Sequence, residues 1–168
     1  MRIRQNSPFV TGLVLAALMS AVSVFAAPAH AQRGESPFAA MIGSWSGGGT
    51  LSLSNGTKER IRCRANYQGG GATMSLELRC ASDSNRFELQ SNVSHNGGDL
   101  SGTWSEATRG AGGNISGTIN RGRIQARAVG TGFSASLGMA TSGSKQSIVI
   151  QSPGSELEQV NISLNRTR

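Results

Sequence analysis

The chain has 168 residues, with 16 Lys+Arg against 9 Asp+Glu and a formal charge of +7. Charged residues make up 15% and aromatics 5%, while glycine occupies 23 positions. This composition excludes a coiled coil, a collagen and a helical bundle, and the length favours one domain.

Residues 1–31 read as a secretory signal peptide. Arg2 and Arg4 open the chain, and an apolar stretch follows from Val10 to Ala27. Ala29-His30-Ala31 then supplies a small-x-small pattern ahead of Gln32. A basic start, an apolar middle and small residues at the cut define such a signal. The apolar run is short for a permanent span, so no transmembrane segment is expected after cleavage. No cysteine follows it, which argues against a lipid anchor. Arg2 and Arg4 are not adjacent, which argues against a twin-arginine signal. Cleavage leaves 14 basic and 9 acidic residues, and His95 as the sole histidine. The expected location is the periplasm or exterior of a bacterium.

Residues 32–43 form an N-terminal segment with a short helical turn expected near Pro37 to Ile42. From 44 to 168 the helical period is gone. Alternation of period two takes over, broken by Gly, Asn, Ser and Pro at short intervals. Strands are expected near 44–54, 58–67, 73–81, 86–94, 99–106, 114–120, 123–129, 132–140, 146–151 and 158–165. No connection has room for a helical crossover, so the strands pair antiparallel with their sequence neighbours. A sheet with one apolar face must bury it. The expectation is therefore an all-β fold, an antiparallel up-and-down meander closing into a barrel of about 8–10 strands. A β-sandwich is the runner-up. Ile148, Val149 and Ile150 are consecutive, which suggests a strand covered on both faces. Leu100-Ser-Gly-Thr-Trp104 returns as Ile115-Ser-Gly-Thr-Ile119, as in a hairpin with like-patterned arms. An outer-membrane barrel is disfavoured, because the mature chain has only six aromatics for its two girdles.

Cys63 and Cys80 are an even pair in an exported chain and read as a disulfide. If they face each other, opposed residues on that hairpin sum to 143. Ala65 then faces Leu78, Tyr67 faces Leu76 and Gly69 faces Met74, all on the apolar face. The same register puts Arg64 opposite Arg79 on the outer face, where like charges are unfavourable. Arg60, Arg62, Arg64 and Arg79 form a candidate anion-binding stripe, and Arg121, Arg123 and Arg127 a second cluster. Fourteen of the sixteen basic residues are Arg, which suits bidentate contact with phosphate or carboxylate. Nucleic acid is not an expected partner, because no aromatics interleave with these arginines.

Catalytic and metal constellations are largely missing. One histidine, two paired cysteines and scattered carboxylates give no metal spacing. The glycine runs Gly47-Gly48-Gly49 and Gly69-Gly70-Gly71 lack the Lys-Ser/Thr ending of a phosphate loop. No cofactor is expected, and the chain is read as non-enzymatic. A hydrolase using Ser and His95 is the one enzymatic alternative, and no Gly-x-Ser-x-Gly elbow supports it.

Gly43-Ser44-Trp45, after a short turn and opening the first strand, resembles the Gly-x-Trp start of lipocalins and related calycin barrels. The resemblance implies that Trp45 closes one end of a barrel and that an Arg from the last strand, here Arg166, covers it. It also implies a binding protein whose interior takes a small apolar ligand, with Trp45, Trp104, Phe87 and Phe133 as lining or core. The triple glycine after Trp45 and the short loops depart from that pattern and speak against a roomy cavity. The alternatives are an envelope protease inhibitor acting through the segment Gln32–Ala40, or a binder of anionic envelope components through the arginine patch.

Overall fold

The computed structural model describes residues 35–167, so the expected signal peptide lies outside the described residues. Ten strands follow one another: β1 (Gly43–Leu53), β2 (Lys58–Gly70), β3 (Thr73–Ala81), β4 (Arg86–Asn96), β5 (Asp99–Glu106), β6 (Ala111–Asn120), β7 (Arg123–Gly130), β8 (Phe133–Ser142), β9 (Lys145–Gln151) and β10 (Leu157–Arg166). Each pairs antiparallel with its sequence neighbours, and β1 also pairs with β10, from Trp45↔Arg166 to Leu53↔Leu157. The meander therefore closes into a ten-stranded barrel, and the sandwich is excluded.

Side chains alternate between a buried interior and an exposed exterior along the strands, as a period of two requires. Val149 is the correction on β9: it is 37% exposed between buried Ile148 and half-buried Ile150. Among the described residues, no second layer packs outside the barrel to cover it. The helical turn expected near Pro37 to Ile42 is also corrected, to hydrogen-bonded turns. Ala39 N–H donates to the Ser36 carbonyl at 2.9 Å, and Met41 N–H to the Phe38 carbonyl at 2.8 Å. So short a segment cannot offset the cost of nucleating a regular helix. Its conformation is instead fixed by burying Phe38 and Met41, both 0% exposed.

The expected register of β2 and β3 holds, with Cys63↔Cys80, Ala65↔Leu78, Tyr67↔Leu76 and Gly69↔Met74. Cys63 and Cys80 form a disulfide inside the barrel, with their Cα atoms 4.2 Å apart. The repeated Ser-Gly-Thr segments are the two arms of the β5–β6 hairpin. Leu100 faces Gly117 and Gly102 faces Ile115, so each large side chain meets the other arm's glycine. A Cβ at Gly102 would come within 2.0 Å of the Asn92 carbonyl, and one at Gly117 within 2.1 Å of that of Gln125. The glycine run at 110–113 is only partly a turn, because β6 begins at Ala111 and sets Gly113 opposite Trp104.

Candidate functional site

The barrel interior has two unlike ends. At one end Trp45, 1% exposed, donates its indole N–H to the Met41 carbonyl at 2.7 Å. The Arg166 guanidinium lies 4.3 Å from the Trp45 ring centroid, a cation–π contact. Arg166 also donates to the Ala40 carbonyl at 2.7 Å and to the Ile42 carbonyl. Gly43 sits at φ +121°, and a Cβ there would approach the guanidinium to 2.8 Å. Thus Gly43, Trp45 and Arg166 act together as a plug, as the Gly-x-Trp resemblance implies.

Behind the plug, the Tyr67 hydroxyl donates to Gln146 Oε1 at 2.7 Å, and Gln146 Nε2 donates to Thr141 Oγ1 at 2.9 Å. Burial pushes the Tyr67 phenol far above its ordinary range and outweighs the Gln146 bond, so the hydroxyl keeps its proton. This chain of bonds satisfies these buried polar atoms, and Met139, 3.8 Å from the Tyr67 hydroxyl, separates it from the cavity.

The other end holds a cavity of about 180 Å³. Trp104, Phe87 and Phe133 line it, with Leu137, Met139 and Ile115. Trp104 and Phe133 pack at 5.2 Å between ring centroids. Trp45, grouped with these aromatics on sequence grounds, is core but does not line the cavity. Polar groups in the wall are mostly spent on the barrel itself. Ser91 Oγ donates to the Thr103 carbonyl at 3.0 Å, and Ser152 Oγ to that of Ser134 at 2.9 Å. The exception is Trp104, whose Nε1–H is buried without an acceptor among the described residues.

Glu106 and Arg109 stand where the cavity meets the loops. Glu106 accepts backbone N–H bonds from Glu88 at 2.9 Å, Thr108 at 3.0 Å and Arg109 at 2.8 Å. Burial pushes its carboxyl up, but these donors outweigh it and hold the group below the usual 4.5. Arg109 lies 3.6 Å from Glu106 and donates to the Arg86 carbonyl at 3.2 Å. Neither residue was singled out as a cavity group from sequence. The signal for Glu106 was present, since it shares strand parity with inward Leu100 and Trp104.

The remaining candidates are scattered. His95 Nε2 accepts the Gly98 N–H at 2.9 Å, and its ring packs edge-on to Phe38 at the plugged end. No serine hydroxyl is bonded to it among the described residues. Within Gln32–Ala40, residues 32–34 lie outside the described residues, and Phe38 is fully buried rather than free. Arg60, Arg62, Arg64 and Arg79 are exposed on β2 and β3. Arg79 pairs with Glu77, and with Glu88 at 3.8 Å. Arg121, Arg123 and Arg127 are also exposed. They are four strands from β3 and five from β2 around the closed barrel, so the two basic clusters do not join.

The barrel closure, the plug and the interior cavity together define a ten-stranded antiparallel up-and-down β-barrel, closed at one end and hollow toward the other. Two solved structures share the fold. Rv2717c from M. tuberculosis matches with a TM-score of 0.63 at 13% identity, over 78% of this chain and 95% of that one. The S-type phycobiliprotein lyase CPES from Guillardia theta matches with a TM-score of 0.52 at 10% identity, over 78% of this chain and 90% of that one. No family model and no curated protein sequence matches the chain.

Proposed function

We propose that this chain is an exported, non-enzymatic binder of a compact apolar ligand, held in the barrel beside Trp104. The observation that carries the reading is the cavity of about 180 Å³ with an almost wholly apolar wall. A preformed apolar void of about 150 Å³ stays dry and takes a ring the size of benzene. The ligand is thus a single ring or the end of a longer chain that leaves past Arg109. An acceptor oxygen on it would satisfy the Trp104 N–H. The disulfide is consistent with an oxidising, exported compartment. A binding role rather than hydrolysis is supported by His95, whose Nε2 is already occupied.

Benzene titration followed by methyl NMR tests the reading. Resonances of Ile115, Leu137 and Met139 should shift saturably, while those of Ile162 and Leu164 stay still. Ala135→Leu, which fills the cavity from β8, should abolish the shifts in a folded protein. Absence of saturable shifts, or shifts unchanged by Ala135→Leu, refutes the proposal.

A further inference from the structure

β2 carries a row of cations on the outside of the barrel. Lys58, Arg60, Arg62 and Arg64 occupy alternate exposed positions. Same-face residues on a strand are about 6.7 Å apart, so the row runs about 20 Å. Lys58 joins the three arginines singled out from sequence. Arg79 stands beside the row with its charge taken up by Glu77 and Glu88.

Among the described residues, no carboxylate lies within 4.0 Å of its four charged groups. Glu59 is the one acid on β2, and its carboxylate accepts from Ser82, Ser84 at 2.7 Å and Asn85 at 3.1 Å. It is thereby bound to the β3–β4 loop. On β1 the cross-strand partners of the row are Ser52, Thr50, Gly48 and Ser46. Beyond them on β10 come Gln159, Asn161, Ser163 and Asn165. The same face of β9 offers Lys145, Ser147, Val149 and Gln151. Four adjacent strands thus present five cations across this face, and the acid they carry nearest to it, exposed Glu158, stands at the bulge of β10 opposite the Lys58 end of the row.

The shape of the face decides between partners. The flanking side chains on β1 are short, and Ala81 is opposite Arg62 on β3. A barrel wall also curves away on both sides. The long basic side chains therefore form a ridge, which a plane meets first. A polymer strand would need a groove with walls, and this face has none. No aromatic side chain stands on these outward positions to insert into hydrocarbon. We infer that the β2 ridge docks the protein peripherally on an anionic lipid surface, through lipid phosphates paired with Arg guanidinium groups.

Co-sedimentation of the full chain with vesicles tests this. Vesicles of equal phosphatidylglycerol and phosphatidylcholine carry the charge. Vesicles of phosphatidylcholine alone report any contribution from the apolar stretch Val10–Ala27. Binding to the charged vesicles above that background should be clear at about 50 mM salt and lost at about 0.5 M. The triple variant Arg60→Gln, Arg62→Gln, Arg64→Gln should weaken it roughly 100-fold. The matched variant Arg121→Gln, Arg123→Gln, Arg127→Gln removes as many charges and should stay within about twofold, because those residues are across the barrel. Equal losses in both triples would reduce the effect to net charge and overturn the inference. So would no preference for charged vesicles, or tighter binding to soluble polyphosphate than to vesicles of equal phosphate content.

Discussion

The two interior tryptophans of the barrel stand in opposite situations. The N–H of Trp45 is bonded to a backbone carbonyl under the Arg166 guanidinium. The N–H of Trp104 has no acceptor among the described residues, and its ring stands in the wall of a cavity. Around Trp45, packing and hydrogen bonds are complete, as in an element whose work is to hold the barrel shut. Around Trp104, volume and one donor are left over, as in a place made to receive something. The difference teaches that a barrel can concentrate its stability at one end and keep the other available.

Truncation should separate the ends most strongly. Trp45→Ala removes a fully packed ring together with its cation–π partner, and should cost about 3–5 kcal/mol in urea unfolding. Trp104→Ala should cost less, about 2–3 kcal/mol, because part of its ring already faces empty space. That variant should also enlarge the cavity and admit larger apolar probes. Equal costs for the two variants would break the comparison.

Acid should report on the open end. Glu106 and Glu59 are both held below the ordinary carboxyl value, by N–H donors at Glu106 and by Ser82, Ser84 and Asn85 at Glu59. A carboxylate depressed in the folded state stabilises that state above its unfolded pKa. The stabilisation is lost as pH falls through the folded value. Stability should thus be flat at neutral pH and decline below about pH 4.3. Glu106→Gln should cost about 1–3 kcal/mol at pH 7, because at least one backbone N–H loses its acceptor. It should also flatten the decline below pH 4.3, since the buried acid no longer titrates. A decline of unchanged steepness would show that the acid response comes from elsewhere.

The plugged end was far more legible in the sequence than the open end. Gly43, Trp45 and Arg166 are recognisable by residue type and by position at the two ends of the sheet. Period-two alternation marks every strand, and the index sum through Cys63 and Cys80 sets the β2–β3 register. The inward parity of Glu106 was legible but its partners were not, for a physical reason: they are backbone N–H groups, Glu88 on β4 and Thr108 and Arg109 in the loop after β5, whose placement no side-chain pattern encodes. Pairing of Arg79 with Glu88 depends on the β3–β4 register, which the four-residue connection Ser82–Asn85 does not dictate. A cavity is a residual volume, so it follows from all inward side chains together and from none singly.

The plugged end also contains a local strain, and relieving it gives the smallest expected effect. Arg121 takes φ +45° in the two-residue β6–β7 turn, the one positive φ outside glycine among the described residues. Left-handed backbone costs a non-glycine residue about 1–2 kcal/mol, whereas Asn tolerates it through its short polar side chain. Arg121 is exposed and has no ion pair among the described residues, so little is lost on replacing it. Arg121→Asn should therefore stabilise the protein by about 0.5–1 kcal/mol. The cavity reaches as far toward this turn as Ile124, but Arg121 points to solvent, so benzene shifts at Leu137 and Ile115, further along the strands, should be unchanged. A gain in stability with altered shifts would mean that the ends are coupled through the barrel wall. A gain without them would show that the plugged end can be tightened while the cavity stays as it is.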